Sequence, residues 1–271
     1  MIEDGYSITV EKDKTDRPHS MADMHLHTCH EIYFLVSGRR RYFIGHSIYD
    51  VAPGNVVIIP RGELHRTISV DRTGYDRYLL YFYENRIGSL IESVGKKNFE
   101  QFLESGCYKL PQEIVRKIQK RFEELLDDKQ KGDKYLKAVE EQVLREILLL
   151  VMRFGEKNTT VSGGSAEKIQ EAAQYISENY GSEITLHTAA GLAYMEDTYF
   201  SKQFKKLTGF GFNEYLTQTR IKAAEKMLLE TQLSVGEIAE NCGFSAANYF
   251  GDVFKSFKGV SPSQFRKLFK Q

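Results

Sequence analysis

The chain contains no run of about eighteen or more apolar residues, which excludes a membrane-spanning helix of ordinary length. Its opening, Met1-Ile2-Glu3-Asp4, is acidic and leads into no apolar core, so no secretory leader is expected. Cysteine is scarce. The three present, Cys29, Cys107 and Cys242, are odd in number and widely spaced, which argues against a disulfide framework and for reduced thiols in a cytoplasm. Net charge is absent too, with 37 Lys and Arg against 37 Asp and Glu, so bulk charge gives no hint of nucleic acid. The distribution says more: residues 201–271 carry eleven Lys or Arg and six Asp or Glu. A local basic face is what phosphate contact needs, although taken alone it reads better as a mixed solvated surface. At 271 residues and 41% hydrophobic, the chain has room for two domains, each with its own core.

What the sequence does have is an internal repeat near its C-terminal end, with a period of about fifty residues. A short alanine-centred segment, Leu186-His187-Thr188-Ala189-Ala190-Gly191-Leu192-Ala193, is followed by a turn at Tyr194-Met195 and a second segment over residues 196–206. The pattern recurs as Ser234-Val235-Gly236-Glu237-Ile238-Ala239-Glu240, a turn at Asn241-Cys242-Gly243-Phe244, and a segment over residues 245–257. The second segments share a Phe-Lys pair, Phe204-Lys205 and Phe254-Lys255, and a following glycine, Gly209 and Gly259. This is the pattern of two helix-turn-helix units. Small residues let the bracing helix approach, and the second helix buries one face while offering the other to a major groove.

Helical spacing assigns Tyr199, Phe200, Gln203, Phe204 and Leu207 to the inner face of the first unit. The corresponding set in the second is Tyr249, Phe250, Val253, Phe254 and Phe257. Thr198, Ser201, Lys202 and Lys205 then look outward, as do Ala246, Ala247, Asn248, Gly251 and Asp252. Between the units, residues 212–230 read as one helix, a rod of roughly 28 Å that suits two recognition helices about one duplex turn apart.

These residues resemble the DNA-binding domain of the AraC/XylS family of bacterial transcription regulators. The likeness rests on Arg220-Ile221-Lys222-Ala223-Ala224, Ile238-Ala239, Gly243-Phe244-Ser245, Tyr249-Phe250, Val253-Phe254-Lys255, and the run from Gly259-Val260-Ser261-Pro262 to Ser263-Gln264-Phe265-Arg266-Lys267. It covers about a third of the chain. Double-stranded DNA is the partner it implies, and RNA polymerase a second, with activation expected rather than repression. Thr198, Ser201 and Lys202 are the expected base readers. Asn248, beside Ala247, is a candidate adenine contact, and Lys205, Lys206, Lys255 and Lys258 are assigned to phosphates. Gly251-Asp252 departs from the small polar and basic pair common at this point in the family. The first unit is therefore expected to carry most of the base readout.

The N-terminal part reads as short strands with turn signals between them: residues 8–10, 31–37, 39–44, 48–51, 55–59, 66–70 and 78–83. Two ordered patterns lie among them. One is His25-x-His27, then Glu31 and Gly38; the other is Gly54, Pro60-x-Gly62 and His65. Together they resemble the two signature motifs of the cupin β-barrel, with Ser69 where the second motif ends in Asn. In metal-binding cupins the two His, the Glu and the later His hold one divalent ion. The resemblance thus implies a possible transition-metal site at His25, His27, Glu31 and His65. The other reading makes the same residues wall groups of a metal-free pocket with Tyr33, Tyr42 and Arg40, suited to a sugar or a small organic acid. No cofactor is certain on either reading.

Residues 86–154 turn helical. Ile114, Ile118, Phe122, Leu125 and Leu126 form one stripe, and Leu136, Val139, Val143, Leu144, Ile147, Leu148 and Val151 another, with Gly132-Asp133 between them. Such a hairpin covers the barrel, and the resemblance adds a homodimer contact. Residues 155–165, with Ser162-Gly163-Gly164-Ser165, have the composition of a flexible joint. A helix carrying Ile169, Ala172, Ala173, Ile176 and Tyr180 follows, with Gly181 as its expected C-cap.

The expected fold is α+β in two domains. Residues 1–154 form a cupin β-barrel (jelly roll) with a helical hairpin, 155–165 the linker, and 166–271 an all-α domain with tandem helix-turn-helix units. The expected function is a cytoplasmic, small-molecule-responsive transcription regulator rather than an enzyme. The alternative is a metal-dependent cupin enzyme fused to a DNA-binding module.

Overall fold

The computed structural model describes residues 8–17, 28–71, 73–104 and 106–269. They fall into two compact units that divide between Ser162 and Gly163.

The first unit is built from β1 (Thr9–Thr15), β2 (His30–Ser37), β3 (Arg40–Ile44), β4 (Ser47–Val51), β5 (Val56–Ile59), β6 (His65–Ser69) and β7 (Tyr75–Phe82). Helices α1 (Gly88–Val94) and α2 (Lys96–Leu103), strand β8 (Gly106–Lys109), helices α3 (Gln112–Lys131) and α4 (Leu136–Phe154), and strand β9 (Glu156–Lys157) follow. One sheet has the order β1-β7-β2-β5-β8-β9, and the other β4-β3-β6. All the pairings are antiparallel.

Strand alternation sorts the side chains into two cores. Tyr33, Leu35, Val57, Tyr75, Leu79 and Tyr81 of the larger sheet pack with Tyr42, Ile44, Tyr49 and Val51 of the smaller. On the other face, Ile32, Phe34, Val56, Ile58, Tyr78 and Leu80 pack against Ile118, Phe122, Leu144 and Ile147 of the hairpin. Because both faces of β2 are covered, its first six residues are all buried and the strand loses the polar-apolar alternation of a solvated sheet. Phe122 of α3 stacks on Tyr78 at 4.9 Å and on Phe34 at 5.9 Å, fixing the hairpin to the sheet. Burial of each such ring is worth about 1.5–3 kcal/mol. Gly132, at φ 68°, closes α3 in the left-handed conformation that the Gly-Asp pair signals.

The stretch expected as a flexible joint is tied to this unit over much of its length. Glu156 and Lys157 pair with β8. Asn158 N–H donates to the Cys107 carbonyl at 2.7 Å, and Val161 N–H to the Ile48 carbonyl at 2.8 Å. Neither β8 nor β9 is legible in the sequence, because a four-residue and a two-residue strand exist only through distant partners.

The second unit is helical: α5 (Gly164–Asn179), α6 (Leu186–Leu192), α7 (Asp197–Thr208), α8 (Phe212–Glu230), α9 (Val235–Asn241), α10 (Ala247–Lys258) and α11 (Pro262–Phe269). Side-chain caps define the helix starts. Thr185 Oγ1 accepts from Thr188 N–H at 3.1 Å, and Ser234 with Glu237 forms a reciprocal capping box. Ser261 and Gln264 bond in the same way ahead of Pro262. Gly209 and Gly259 end α7 and α10 in the left-handed region, at φ 82° and 76°. Gly181 has no such role: α5 ends at Tyr180 in right-handed geometry, and Gly181 is not at positive φ. Its side-chain-free α-carbon instead admits the Asn241 carbonyl, which would stand 2.6 Å from a Cβ built there.

Candidate functional site

On α7 the buried seam is Phe200, Phe204 and Leu207, and on α10 it is Phe250 and Phe254. The rings of each pair touch, at 5.4 Å and 5.6 Å. Seen from this seam, Thr198 and Lys202 fall nearly opposite on α7, as do Asn248 and Asp252 on α10. Thr198, Lys202, Lys205, Lys206, Ala247, Asn248 and Lys255 are exposed, and Ser201 is half-buried.

Three residues expected on the inner face are not there: Tyr199 is 49% exposed, Tyr249 57% and Phe257 37%. The seam of a short recognition helix is only one residue wide. A Tyr immediately before a seam Phe is therefore turned about 100° away from the core. Lys258 also departs from expectation. Its ammonium pairs with Glu225 of α8 and lies 6.0 Å over the Phe265 ring, leaving the side chain 14% exposed. A cation so engaged is a tie between α10, α8 and α11 rather than a phosphate contact.

The second unit is held together by residues whose role in this the sequence does not reveal. Arg220 of α8 donates from Nε to the Tyr180 carbonyl and from Nη2 to the Ser182 carbonyl, both at 2.9 Å. Burial lowers its pKa. Gly243, at φ 76°, keeps the turn of the second helix-turn-helix against this guanidinium; a Cβ there would meet Arg220 Nη2 and Tyr180 O at 2.8 Å. Arg266 of α11 does the same for the end of α8, donating to the Leu228 carbonyl at 3.2 Å and the Leu233 carbonyl at 2.6 Å. Both arginines satisfy carbonyls that a helix end leaves without intrahelical partners.

In the first unit, strand register orders the space between the two sheets. Leu35 lies across from Arg77, Tyr33 from Leu79 and Glu31 from Tyr81. In the facing sheet Arg40 pairs with Val51 and Ser69, Tyr42 with Tyr49 and Thr67, and Ile44 with His65. The interior thus has an arginine end, a tyrosine middle and a carboxylate–imidazole end.

At the first end, Arg40 donates from Nε to Thr67 Oγ1 at 3.2 Å and lies 4.7 Å over the Tyr75 ring. Arg77 shares that ring from 4.7 Å and bonds Asp13 at 2.6 Å. In the middle, Tyr33 and Tyr42 meet edge to face at 4.9 Å. Both are fully buried, and among the described residues neither hydroxyl has a hydrogen-bond partner of good geometry. Burial raises the pKa of each, so both are neutral phenols.

At the far end, His65 Nδ1 donates to the Glu63 carbonyl at 2.8 Å, and its Nε2 faces Glu31 Oε2 at 3.7 Å. An imidazole anchored through Nδ1 in this way presents Nε2, so Glu31 and His65 have the chemistry of two metal donors. The other two expected ligands, His25 and His27, lie outside the described residues. Among the described residues no group of three or more His, Cys, Asp or Glu is placed to hold an ion. Clefts open beside the arginine end. One, of about 370 Å³, is lined by Arg39, Arg40, Asp50 and Asp71 among others.

A sheet-rich unit with a polar interior, followed by a unit with two repeated helix-turn-helix faces, defines a DNA-binding transcription regulator with a ligand-binding domain. Residues 12–148 match the AraC-like ligand binding domain, and residues 189–268 a helix-turn-helix domain. The chain belongs to the AraC family of transcription regulators. It is 25% identical to the HTH-type transcriptional activator RhaR of Mannheimia succiniciproducens, over 97% of this chain and 92% of that protein. With the regulatory protein PocR of Salmonella typhimurium it shares 32% identity over 49% of this chain, a stretch that spans only 46% of PocR. Among solved structures, the C-terminal domain of AraT, a response regulator from Geobacillus stearothermophilus, is 32% identical over 40% of this chain and 91% of that one, with a TM-score of 0.39. The matched domains and the two curated relatives are those of regulators. Among the described residues, no helix is long and apolar enough to cross a membrane.

Proposed function

We propose that this regulator is switched by a small polar effector, a sugar or a small organic acid, bound between its two sheets, and that it activates transcription with RNA polymerase as partner. The observation that carries the effector reading is the pair of fully buried phenol hydroxyls, Tyr33 and Tyr42, which find no hydrogen-bond partner of good geometry among the described residues. A buried polar group in that state costs about 1–3 kcal/mol, which a bound ligand able to bond it recovers. By register, Glu31 and His65 lie toward one end of the same inter-sheet layer, and Arg40 and Arg77 toward the other. Activation is supported by the likeness to RhaR, a transcriptional activator.

On the DNA side the base readers are Thr198, Ser201 and Lys202, with Ala247 and Asn248 in the second unit. Lys205, Lys206 and Lys255 hold phosphates. A homodimer is proposed through the helical hairpin. The apolar stripe of α4 is spent on its own sheet, with Val143, Leu144, Ile147, Leu148 and Val151 all buried. The surface left for a partner includes Leu149 and Phe154, each 37% exposed, so the contact is narrower than the sequence stripe implies.

The effector can shift DNA affinity only by its differential affinity for the two states of the regulator. A melting-temperature screen of sugars, small acids and divalent metals against the full chain tests the reading. A specific effector raises the midpoint by mass action and changes the DNA footprint at the same concentrations. If no compound moves either quantity, the effector reading is lost and an architectural role for the sheet-rich unit takes its place.

A further inference from the structure

The two recognition helices can be compared residue by residue, because α7 and α10 begin at Asp197 and Ala247 and both run for 12 residues. Over the helices and their C-caps, five positions are identical: Tyr199 and Tyr249, Phe200 and Phe250, Phe204 and Phe254, Lys205 and Lys255, Gly209 and Gly259. Three of these identities are explained by folding. The Phe pairs form the buried seams, and the glycines close the helices at positive φ. The remaining two pairs, Tyr and Lys, are exposed. Burial does not require them to be the same.

Their placement is informative. With Phe200 or Phe250 at the inside, each helix presents two residues nearly opposite the core, and these differ between the units: Thr198 and Lys202 in one, Asn248 and Asp252 in the other. The identical Lys is displaced to one side of that central pair and the identical Tyr to the other. A variable centre thus lies between invariant flanks. Two half-sites of different sequence differ in their base edges and share their sugar-phosphate walls. Residues that differ are suited to the first, and residues that are the same to the second.

We infer that Tyr199 and Tyr249 are DNA-positioning residues, each donating its hydroxyl to a backbone phosphate on the groove wall opposite the one met by Lys205 or Lys255. A phenol suits the role. It is a neutral donor on a long, stiff side chain, able to reach past the helix edge with little rotamer entropy to lose. Both tyrosines are the third residue of their helix, at the end that enters the groove first. The Tyr249 ring is also backed by Phe244, at 6.2 Å. The inference shares with the proposed phosphate role of Lys205 and Lys255 the premise that the groove walls flank this face, and the two fail separately below.

The full chain is used to select a duplex from a random-sequence pool, and binding of that duplex is then measured for Tyr199→Phe and Tyr249→Phe, which keep the rings and remove the hydroxyls. Each is expected to weaken binding about 3- to 30-fold. Reselection should return the same preferred bases. The slope of affinity against salt should not change, because no charge is lost, whereas Lys205→Ala lowers that slope by about one. Phosphate-ethylation interference should lose one sensitive position with Tyr199→Phe and a different one with Tyr249→Phe. Wild-type affinity in either variant, or a change in preferred bases, overturns the inference. An unchanged salt slope in Lys205→Ala overturns the lysine assignment alone.

Discussion

The α-carbon of Gly181 lies against the main-chain carbonyl of Asn241, so close that a methyl group there would stand 2.6 Å from the oxygen. The end of α5, which leads into the first helix-turn-helix, is thereby packed on the end of α9, which braces the second. Arg220 crosses the same junction, with hydrogen bonds to Tyr180 and Ser182 and its guanidinium 5.9 Å over the Phe244 ring.

Gly181→Ala is accordingly expected to destabilise the second unit by about 1–3 kcal/mol, the usual cost of forcing atoms into a filled space. Gly191→Ala supplies the contrast. Gly191 lies inside α6 at no positive φ, and a methyl group placed on it would have nothing within 4 Å, so alanine there should stabilise by roughly 0.5–1 kcal/mol. Urea unfolding of the two variants should move the midpoint in opposite directions.

Lys202→Ala should cost about 1–3 kcal/mol of DNA binding and relax one base position, whereas Asn248→Ala should cost less. A larger loss at Asn248 would overturn the ranking of the two units. Lys258→Ala should leave the salt slope of binding unchanged and show instead as lost stability, because its ammonium is bound to Glu225.

His30 yields a pH prediction. Its Nδ1 accepts from Arg61 N–H at 3.2 Å, its Nε2 lies 3.3 Å from Glu84, and burial lowers its pKa below the ordinary 6.5. The unfolded chain therefore binds a proton more readily than the folded one. Between the unfolded pKa near 6.5 and the lowered folded value, stability rises with pH; the contribution is complete above that window and lost on acidification through it. His30→Gln, which keeps a neutral acceptor, should flatten this part of a stability–pH curve. An unaltered curve would show that other groups control it.

Tyr42→Phe removes a buried hydroxyl with no hydrogen-bond partner of good geometry among the described residues, so without effector it should leave the melting temperature the same or raise it. With a compound found to stabilise the wild type, the same variant should show a smaller rise. A full rise in both Tyr42→Phe and Tyr33→Phe would place that compound elsewhere.

The repeat is readable in the sequence because each half carries its own local signals: alanine-centred bracing segments, seams at Phe200 and Phe250, closing glycines at Gly209 and Gly259. The strand runs are readable from their apolar β-branched and aromatic content. The joints between elements are not. Gly181 has the sequence context of a helix cap, and its true neighbour is sixty residues away at Asn241. Arg220 and Arg266 stand out only as landmarks, since nothing local says that a guanidinium will meet the carbonyls of Tyr180 or Leu228. Within the sheets, Tyr33, Tyr42, Glu31 and His65 emerge from the sequence as a group. The gradient from Arg40 and Arg77 at one end to Glu31 and His65 at the other needs the strand register. Tyr199 and Tyr249 are misplaced because an aromatic adjacent to a seam Phe reads as core by its type, although it is turned about 100° off the seam.

Helix α11 is a foundation rather than an appendage. Phe265 closes over Phe254 at 5.4 Å while Arg266 holds the carbonyls of Leu228 and Leu233. A frameshift or stop just upstream of Pro262 would spare every residue proposed to face the groove and still strip α10 of the floor that Phe265 gives it. Loss-of-function alleles that never touch DNA should therefore accumulate in the codons for α11.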